Sequence, residues 1–249
     1  MGNTKVRHIH LAETESTNAY AKSITIESPY TLISADHQTS GRGQRGNSWE
    51  SAPGKNLLFS LCLTPKEIPA SQQFILCELI SVAISEVLKS YTTDISIKWP
   101  NDIYYRDQKL CGILIEHEIE STTLSRSIIG VGLNVNQTEF ISNASNPISL
   151  CQILGHEVER EALLQRIIAC FITLYEQYIL LLSEDSNRYE LHQRYTQSLY
   201  RKGIQSVYRD AHAEFIATLL DVELDGRLIL KDQLGILHSY LFKEVTYII

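Results

Sequence analysis

Apolar positions change their period several times along this chain, and each change marks an element. Val6 to Leu11 alternate apolar and polar side chains, the pattern of a half-buried strand. Thr14 and Ser16 then offer N-caps for a helix running to roughly Ile24. Residues 30–35 read as a strand that feeds a glycine-rich loop, and after Pro53-Gly54 the run NLLFSLCL, residues 56–63, reads as another. Pro69 suits a first helical position, and Phe74, Leu76, Leu79, Ile80, Ala83, Ile84, Val87 and Leu88 recur at helical spacing, which predicts a helix covering one face of a sheet.

ISIKW, DIYY, KLCGILIEHEIE and SIIGVGLNVN follow as strand-like runs joined by short turns. A meander of this kind predicts a mostly antiparallel sheet, and helices beside it make the fold class α+β. From Glu159 to Leu182 the apolar residues Leu163, Ile167, Phe171, Leu174 and Tyr178 mark a long amphipathic helix, and a second helical stretch runs from about Arg188 to Leu199. Beyond a boundary near Arg201 to Gly203 the texture turns to short β runs, SVYRDA, EFIATLLDVEL, RLILKD and YLFKEVTYI, with Asp225-Gly226 placed as a two-residue hairpin turn. The expected organisation is a domain over residues 1–200 and a small C-terminal β-barrel over 201–249.

Composition narrows the function classes. A chain of 249 residues with 44% hydrophobic and 20% charged residues is long enough to bury a core and has no low-complexity tract. The net charge of −7 disfavours non-specific attraction to nucleic acid or anionic membranes, so a cationic site has to be local. Cys62, Cys77, Cys111, Cys151 and Cys170 sit singly in apolar contexts, as reduced core residues do. The start, MGNTKVRHIHLAE, lacks the apolar core of a signal peptide, and no stretch reads as approaching membrane-spanning length. These features predict a cytoplasmic protein.

The candidate chemistry centres on GRGQRGNSWES, Gly41 to Ser51. Gly41, Gly43 and Gly46 spell GxGxxG, yet no helix N-terminus follows to receive a pyrophosphate, as a dinucleotide site requires. A kinase glycine loop is disfavoured because neither HRD nor DFG occurs downstream. A surface turn stays open as an explanation of the glycines alone. Arg42 and Arg45 interleave them, however, so backbone N–H groups and guanidinium donors converge on one small volume, an arrangement suited to an anionic ligand.

With Trp49, Ser51 and Pro53 the loop resembles the GRGRxGRxWxSP signature of biotin protein ligases. Glu15-Ser16-Thr17-Asn18 is similar to that family's D/E-S-T-N segment, and Gln38 precedes the loop at the matching distance. KWPNDIYY, residues 98–105, resembles its K-W-P-N-D stretch, KLCGILIE, residues 109–116, its K-x-x-G-I-L-x-E, and GVGLNVN, residues 130–136, its G-x-G-x-N. The resemblance implies joining biotin, as substrate, to ATP with Mg2+, giving biotinyl-AMP, and passing the biotinyl group to a lysine of a biotin carboxyl carrier domain. It implies an antiparallel sheet flanked by helices and a C-terminal barrel.

On that resemblance Ser16, Thr17, Asn18, Gln38, Gly41, Arg42, Lys109 and Gly112 fall at the biotin. Arg42, Gly43, Gln44, Arg45, Gly46, Trp49, Asn101, Asp102 and Asn134 fall at the adenylate, with Asn134 also a candidate indirect contact to Mg2+. Lys109, Arg42 and Asp102 are the catalytic candidates: two cations that offset repulsion between a carboxylate and a phosphate, and an acid that takes the proton of the incoming amine. Gly112 would leave space for the biotin ring. Structural roles compete for several of these: capping for Ser16, an Asx turn for Asn101 and Asp102, a solvated strand end for Lys109 and a satisfied amide for Asn134. The carrier domain is expected to dock by strand addition, and a homodimer is left open. A DNA-binding module is not expected, since the fifteen residues before Ser16 are too few for one. A lipoate or octanoyl ligase is the alternative within enzymes, and a non-catalytic biotin-sensing protein the alternative outside them.

The loop departs from the resemblance at Gln44 and Asn47, where arginine-rich relatives carry further cations. Fewer cations predict a looser grip on the adenylate. Gln44→Arg is expected to slow dissociation of biotinyl-AMP, measured by stopped-flow release; equal or slower release from the wild type would refute this.

Overall fold

The computed structural model describes residues 6–43, 47–141, 146–180 and 185–249. In chain order the elements are β1 (Val6–Thr14), α1 (Thr17–Ser23), β2 (Tyr30–Gln38), β3 (Leu57–Leu63), α2 (Phe74–Lys89), β4 (Ile95–Lys98), β5 (Asp102–Tyr105), β6 (Gln108–Glu120), β7 (Thr123–Leu133), α3 (Leu150–Leu154), α4 (Arg160–Tyr175), α5 (Asp185–Gln197), β8 (Gln205–Arg209), β9 (Glu214–Val222), β10 (Leu228–Asp232), β11 (Leu237–Tyr240) and β12 (Thr246–Tyr247). The chain divides into two compact units, residues 1–70 with 108–170 and residues 71–107 with 171–249.

In the first unit the strands are ordered β1-β2-β3-β7-β6. β1 and β2 pair in parallel, while β2–β3, β3–β7 and β6–β7 are antiparallel, as a mainly antiparallel α+β sheet requires. The sequence explains the order. All seven residues of β3 are buried, which suits an interior strand, and each of its Leu and Phe side chains contributes on the order of 1.5–3 kcal/mol. β1 carries mostly exposed or half-exposed residues and lies at the edge. α1 lays Ala21 on Ile33, Cys62 and Ile128, with Tyr20 and Ile24 packed around them. Thr14 ends β1 and Ser16 is the residue before α1, so only the second expected cap is in place, and its hydroxyl makes no capping bond.

In the second unit β4 and β5 form an antiparallel hairpin against α2, and α2 packs on α5. The helix foreseen from Pro69 starts later, at Phe74, after a 3-10 turn at Ala70–Gln72. The long helix foreseen to Leu182 ends at Tyr175 and gives way to a π-helical turn, Glu176–Leu180. The C-terminal β runs form a five-stranded antiparallel sheet ordered β11-β10-β9-β8-β12. The loop between β9 and β10 corrects the two-residue turn: Gly226 N–H donates to Glu223 O and Glu223 N–H to Arg227 O, a type I turn closed by a left-handed glycine at φ 93°. A Cβ on Gly226 would stand 2.6 Å from the Phe74 ring. YLFKEVTYI is also not one strand, because Leu241 and Glu244 bond each other in a turn with Lys243 at φ 82°.

The cysteines are free, and all but Cys170 are buried. Burial pushes the Cys62 thiol up to about 12, against the nearby Arg126 charge, so it is an inert core residue. The expectation that no stretch approaches membrane-spanning length needs correction. Ala70–Lys89 and Arg160–Leu180 are long and apolar enough by length and composition, although 72% of the first window is buried inside the protein, as in a core helix.

One buried polar pair stands out in the second unit. Glu78, fully buried on α2, places Oε1 2.5 Å from Nδ1 of His192 on α5. Burial raises the Glu78 carboxyl, and the hydrogen bond and charge of His192 only partly draw it back. Burial alone would lower His192, but the Glu78 hydrogen bond and charge leave it above its ordinary 6.5. Both groups hold a proton more tightly folded than unfolded, so the stability they add is present below the unfolded values and lost as pH rises through the folded ones. The melting temperature is expected to fall as pH rises above about 6.5, and to do so less steeply in the Glu78→Gln, His192→Gln double variant. Thermal melts across pH with the same slope in both proteins would refute this.

Candidate functional site

The residues nominated from the first unit gather around the start of α1, the end of β2 and the glycine loop. Thr17 N–H donates to Gln38 Oε1 at 2.8 Å, and Thr17 Oγ1 is 3.1 Å from the same oxygen. Ser16, Thr17 and Asn18 are buried, and since Ser16 makes no capping bond, capping does not account for its place there. Gln38 turns its amide nitrogen toward Gly41, where a Cβ would stand 3.3 Å from Nε2. Gly41 O then accepts from Trp49 N–H at 2.9 Å, closing the base of the loop, and Arg42 and Ser48 bridge above it.

Trp49 lies flat on bare backbone. A Cβ on Gly112 would stand 2.7 Å from the Trp49 ring and one on Gly132 closer still; the two glycines are partners across β6 and β7. The space expected above Gly112 for a biotin ring is therefore taken by this indole. Its Nε1 is buried without a hydrogen-bond partner. Lys109, at the start of β6, brings its ammonium to 5.9 Å from the ring centroid, a cation–π contact. Gln38, Gly41, Ser48 and Trp49 line a cavity of about 490 Å³. A smaller one of about 220 Å³, lined by His10, Asp36 and Arg160, includes none of the nominated residues.

Arg42 is exposed on the loop. Its charge is felt at Glu116: burial would raise that carboxyl, but hydrogen bonds from Lys22 and Asn18, with the charges of Lys22 and Arg42, hold it below the ordinary carboxylate value. Lys22 Nζ lies 2.6 Å and Asn18 Nδ2 2.9 Å from Glu116. The Lys22–Glu116 pair is partly exposed and contributes about 0.2–1 kcal/mol, so orientation is its larger effect. Asn134 follows β7, with Nδ2 donating to Ile148 O at 3.1 Å while Oδ1 is buried with no partner. Its amide is thus only half satisfied.

Asn101 and Asp102 belong to the second unit, where Asn101 is buried in the turn after Pro100 and Asp102 opens β5 opposite Lys98. Gly43 N–H donates to Asn47 O at 2.6 Å, and Gln44, Arg45 and Gly46 lie outside the described residues. Four further residues complete the cluster without having been nominated: Lys22, Ser60, Glu116 and Gly130. Ser60 Oγ stands 2.6 Å from Asn18 Oδ1, and a Cβ on Gly130 would overlap that Asn18 amide. A lone serine inside the apolar run of β3 was the available signal, since a buried hydroxyl needs a partner.

The glycine floor yields a direct test. In Gly132→Ala the new methyl overlaps the Trp49 ring, so the indole must leave the sheet at a cost of about 1–3 kcal/mol. With 5-fluorotryptophan in place of the chain's two tryptophans, 19F NMR is expected to show one resonance moving to a solvent-exposed shift; two unmoved resonances would refute the contact.

Comparison with known proteins follows the same segment. The Biotin/lipoate A/B protein ligase family model matches residues 11–134. The bifunctional ligase/repressor BirA of Bacillus subtilis is 34% identical over 183 residues, 72% of this chain and 56% of that protein. The biotin--[acetyl-CoA-carboxylase] ligase of Paracoccus denitrificans is 29% identical over 168 residues, 65% of this chain and 70% of its own. The structure of biotin protein ligase from Aquifex aeolicus in complex with biotin and ATP superposes with a TM-score of 0.79 at 26% identity, covering 96% of this chain and 97% of that one. The chain spans about half the length of the first curated relatives it matches, 56%, 47% and 46%. Matched over the stretch that holds α1, the glycine loop and the paired glycines of β6 and β7, the chain belongs to the biotin/lipoate A/B protein ligase family.

Proposed function

We propose that this chain is an ATP-dependent biotin protein ligase. The biotin carboxylate oxygen attacks the α-phosphorus of ATP and pyrophosphate leaves; a lysine amine of a biotin carboxyl carrier domain then attacks the mixed anhydride, forming the amide and releasing AMP. The observation that carries the reading is the unbroken contact path Thr17–Gln38–Gly41–Trp49–Gly112, with the Lys109 ammonium at its end. Small polar groups stand at one end of that path, an aromatic face in the middle and a cation at the other end, the sequence of demands made by a neutral cyclic head group, an adenylate and a reacting pair of anions. The bound ligands in the Aquifex aeolicus structure, biotin and ATP, point the same way.

Each residue has a task in this reading. Lys109 and Arg42 offset the charge that builds on the phosphoryl oxygens, and Asp102 takes the amine proton in the transfer step. The described residues hold no cluster of three or more carboxylate, imidazole or thiol groups, so Mg2+ would enter with the triphosphate, and the unpartnered Asn134 Oδ1 fits it as an oxygen donor, directly or through water. When bound, the ion would neutralise phosphate charge. Residues 1–200 carry the chemistry and 201–249 an accessory part, and the protein acts in the cytoplasm.

Radiolabelled biotin, ATP and a carrier domain, with lipoate in a parallel reaction, test the reading. Labelling of the carrier lysine from biotin and not from lipoate is expected. Lys109→Ala is expected to slow adenylate formation about 100-fold, and Asp102→Asn to lose transfer from preformed biotinyl-AMP while still binding it. No labelling by the wild type, or labelling from lipoate alone, would overturn the proposal.

A further inference from the structure

We infer that the C-terminal sheet is the mount of the turn that carries Asn101 and Asp102, with Gly226 as its positioning residue. The inference goes beyond the proposed ligase reading, on which it rests only for the task of Asp102. Its contacts lie within the second unit, which holds both the turn and the sheet.

Consecutive residues of the hairpin are held one by one from the C-terminal side. Ile97 N–H donates to Ser198 O, and Ile97 O accepts from Tyr200 N–H, both at 2.8 Å. The Lys98 ammonium lies 5.3 Å from the ring centroid of Tyr247 on β12. Trp99 Nε1–H donates to Gly226 O at 2.9 Å in a buried contact, and Phe242 packs edge-on against the indole with ring centroids 5.9 Å apart. Pro100 O accepts from the Tyr195 hydroxyl at 2.7 Å. Trp99 to Asn101 bridge Lys98 and Asp102, which pair across β4 and β5. Because only Pro100 and Asn101 separate Trp99 from Asp102, a tilt of the indole is passed on to the acid. The other end of the contact is itself anchored, since Arg188 Nη2 donates to Leu224 O at 3.1 Å. Gly226 reaches Trp99 past the Phe74 ring because it lacks a side chain: a Cβ there would stand 2.6 Å from that ring.

In Gly226→Ala the methyl overlaps the Phe74 ring, so the turn has to shift and carry its carbonyl away from Trp99. Single-turnover transfer from preformed biotinyl-AMP to a carrier domain, at a temperature where the variant is folded, is expected to slow about 10- to 100-fold, the effect of a misplaced reacting group. Biotin affinity, measured by calorimetry on the full chain, is expected to stay at the wild-type value, since the residues nominated for biotin all lie in the first unit. A general loosening of the fold would slow every background alike. The deciding measurement is therefore a double variant: the residual transfer of Asp102→Asn should be slowed no further by Gly226→Ala. Should Gly226→Ala fail to melt cooperatively, Phe242→Ala, which trims a partly exposed ring from the same indole, takes its place with the same expectations. Folded variants that transfer at the wild-type rate, that lose biotin, or that slow Asp102→Asn as well would overturn the inference alone. A wild type that makes no biotinyl-AMP, or transfers none, would overturn the ligase reading beneath it.

Discussion

The absence of side chains at three positions of one strand pair governs the site. Gly130, Gly132 and Gly112 lie on β6 and β7, and each leaves room for one named group: Asn18 over Gly130, and the Trp49 indole over Gly132 and Gly112. The strands themselves have ordinary reasons to exist, since Leu110, Cys111 and Ile113 of β6 and Leu124, Ile128, Ile129, Val131 and Leu133 of β7 are buried. A β-sheet normally presents side chains that hold a covering element several ångströms away; here the cover touches the backbone. Because Gly112 and Gly132 pair directly and Gly130 pairs with Leu114, the bare patch is a property of register. A shift of one residue would move the glycines to the other face and close it.

Charge is organised on the same patch. A chain of net charge −7 has no general attraction for anions, so whatever anion binds must meet local cations. Lys109 lies beside the indole and Arg42 on the exposed loop, while Lys22 is engaged with Glu116. Lys22 and Arg42 both help to keep Glu116 ionised, and an ionised Glu116 is the acceptor that orients Asn18. Electrostatics and hydrogen-bond direction are therefore linked through one carboxylate rather than acting as separate features of the site.

Much of this was legible in the sequence, and what was not has a physical reason. Strands with clear period-two or all-apolar runs, such as β3 and β6, were readable because burial on a sheet imposes that pattern locally. Thr17, Gln38, Gly41 and Trp49 were nominated and are neighbours. Ser60, Glu116 and Lys22 escaped because their roles are relational: Ser60 acts through Asn18, 42 positions away, and Lys22 through Glu116, 94 away. The β9–β10 turn was misread by one residue, since Asp-Gly suits both a two-residue loop and a type I turn followed by a left-handed glycine, and only the pairing of Val222 with Leu228 decides between them. The C-terminal strand failed for the same kind of reason: Glu244 captures the Leu241 N–H and ends a run whose residues alone favour extension.

Trp49 is held by contact rather than by direction. Its ring gains from leaving water and from the Lys109 ammonium, but its N–H is buried with no acceptor, an omission that costs roughly 1–3 kcal/mol. Asn134 Oδ1, just after β7, is unsatisfied in the same sense. Two orphaned polar atoms, one donor and one acceptor, thus lie on the loop covering the glycine floor and just beyond the end of β7. Buried polar atoms are normally paired, so these two set this part of the chain apart from a core built for stability alone. The same three glycines that let the indole approach the backbone therefore also limit how firmly it is held, since a bare peptide surface offers wide contact and few directional bonds.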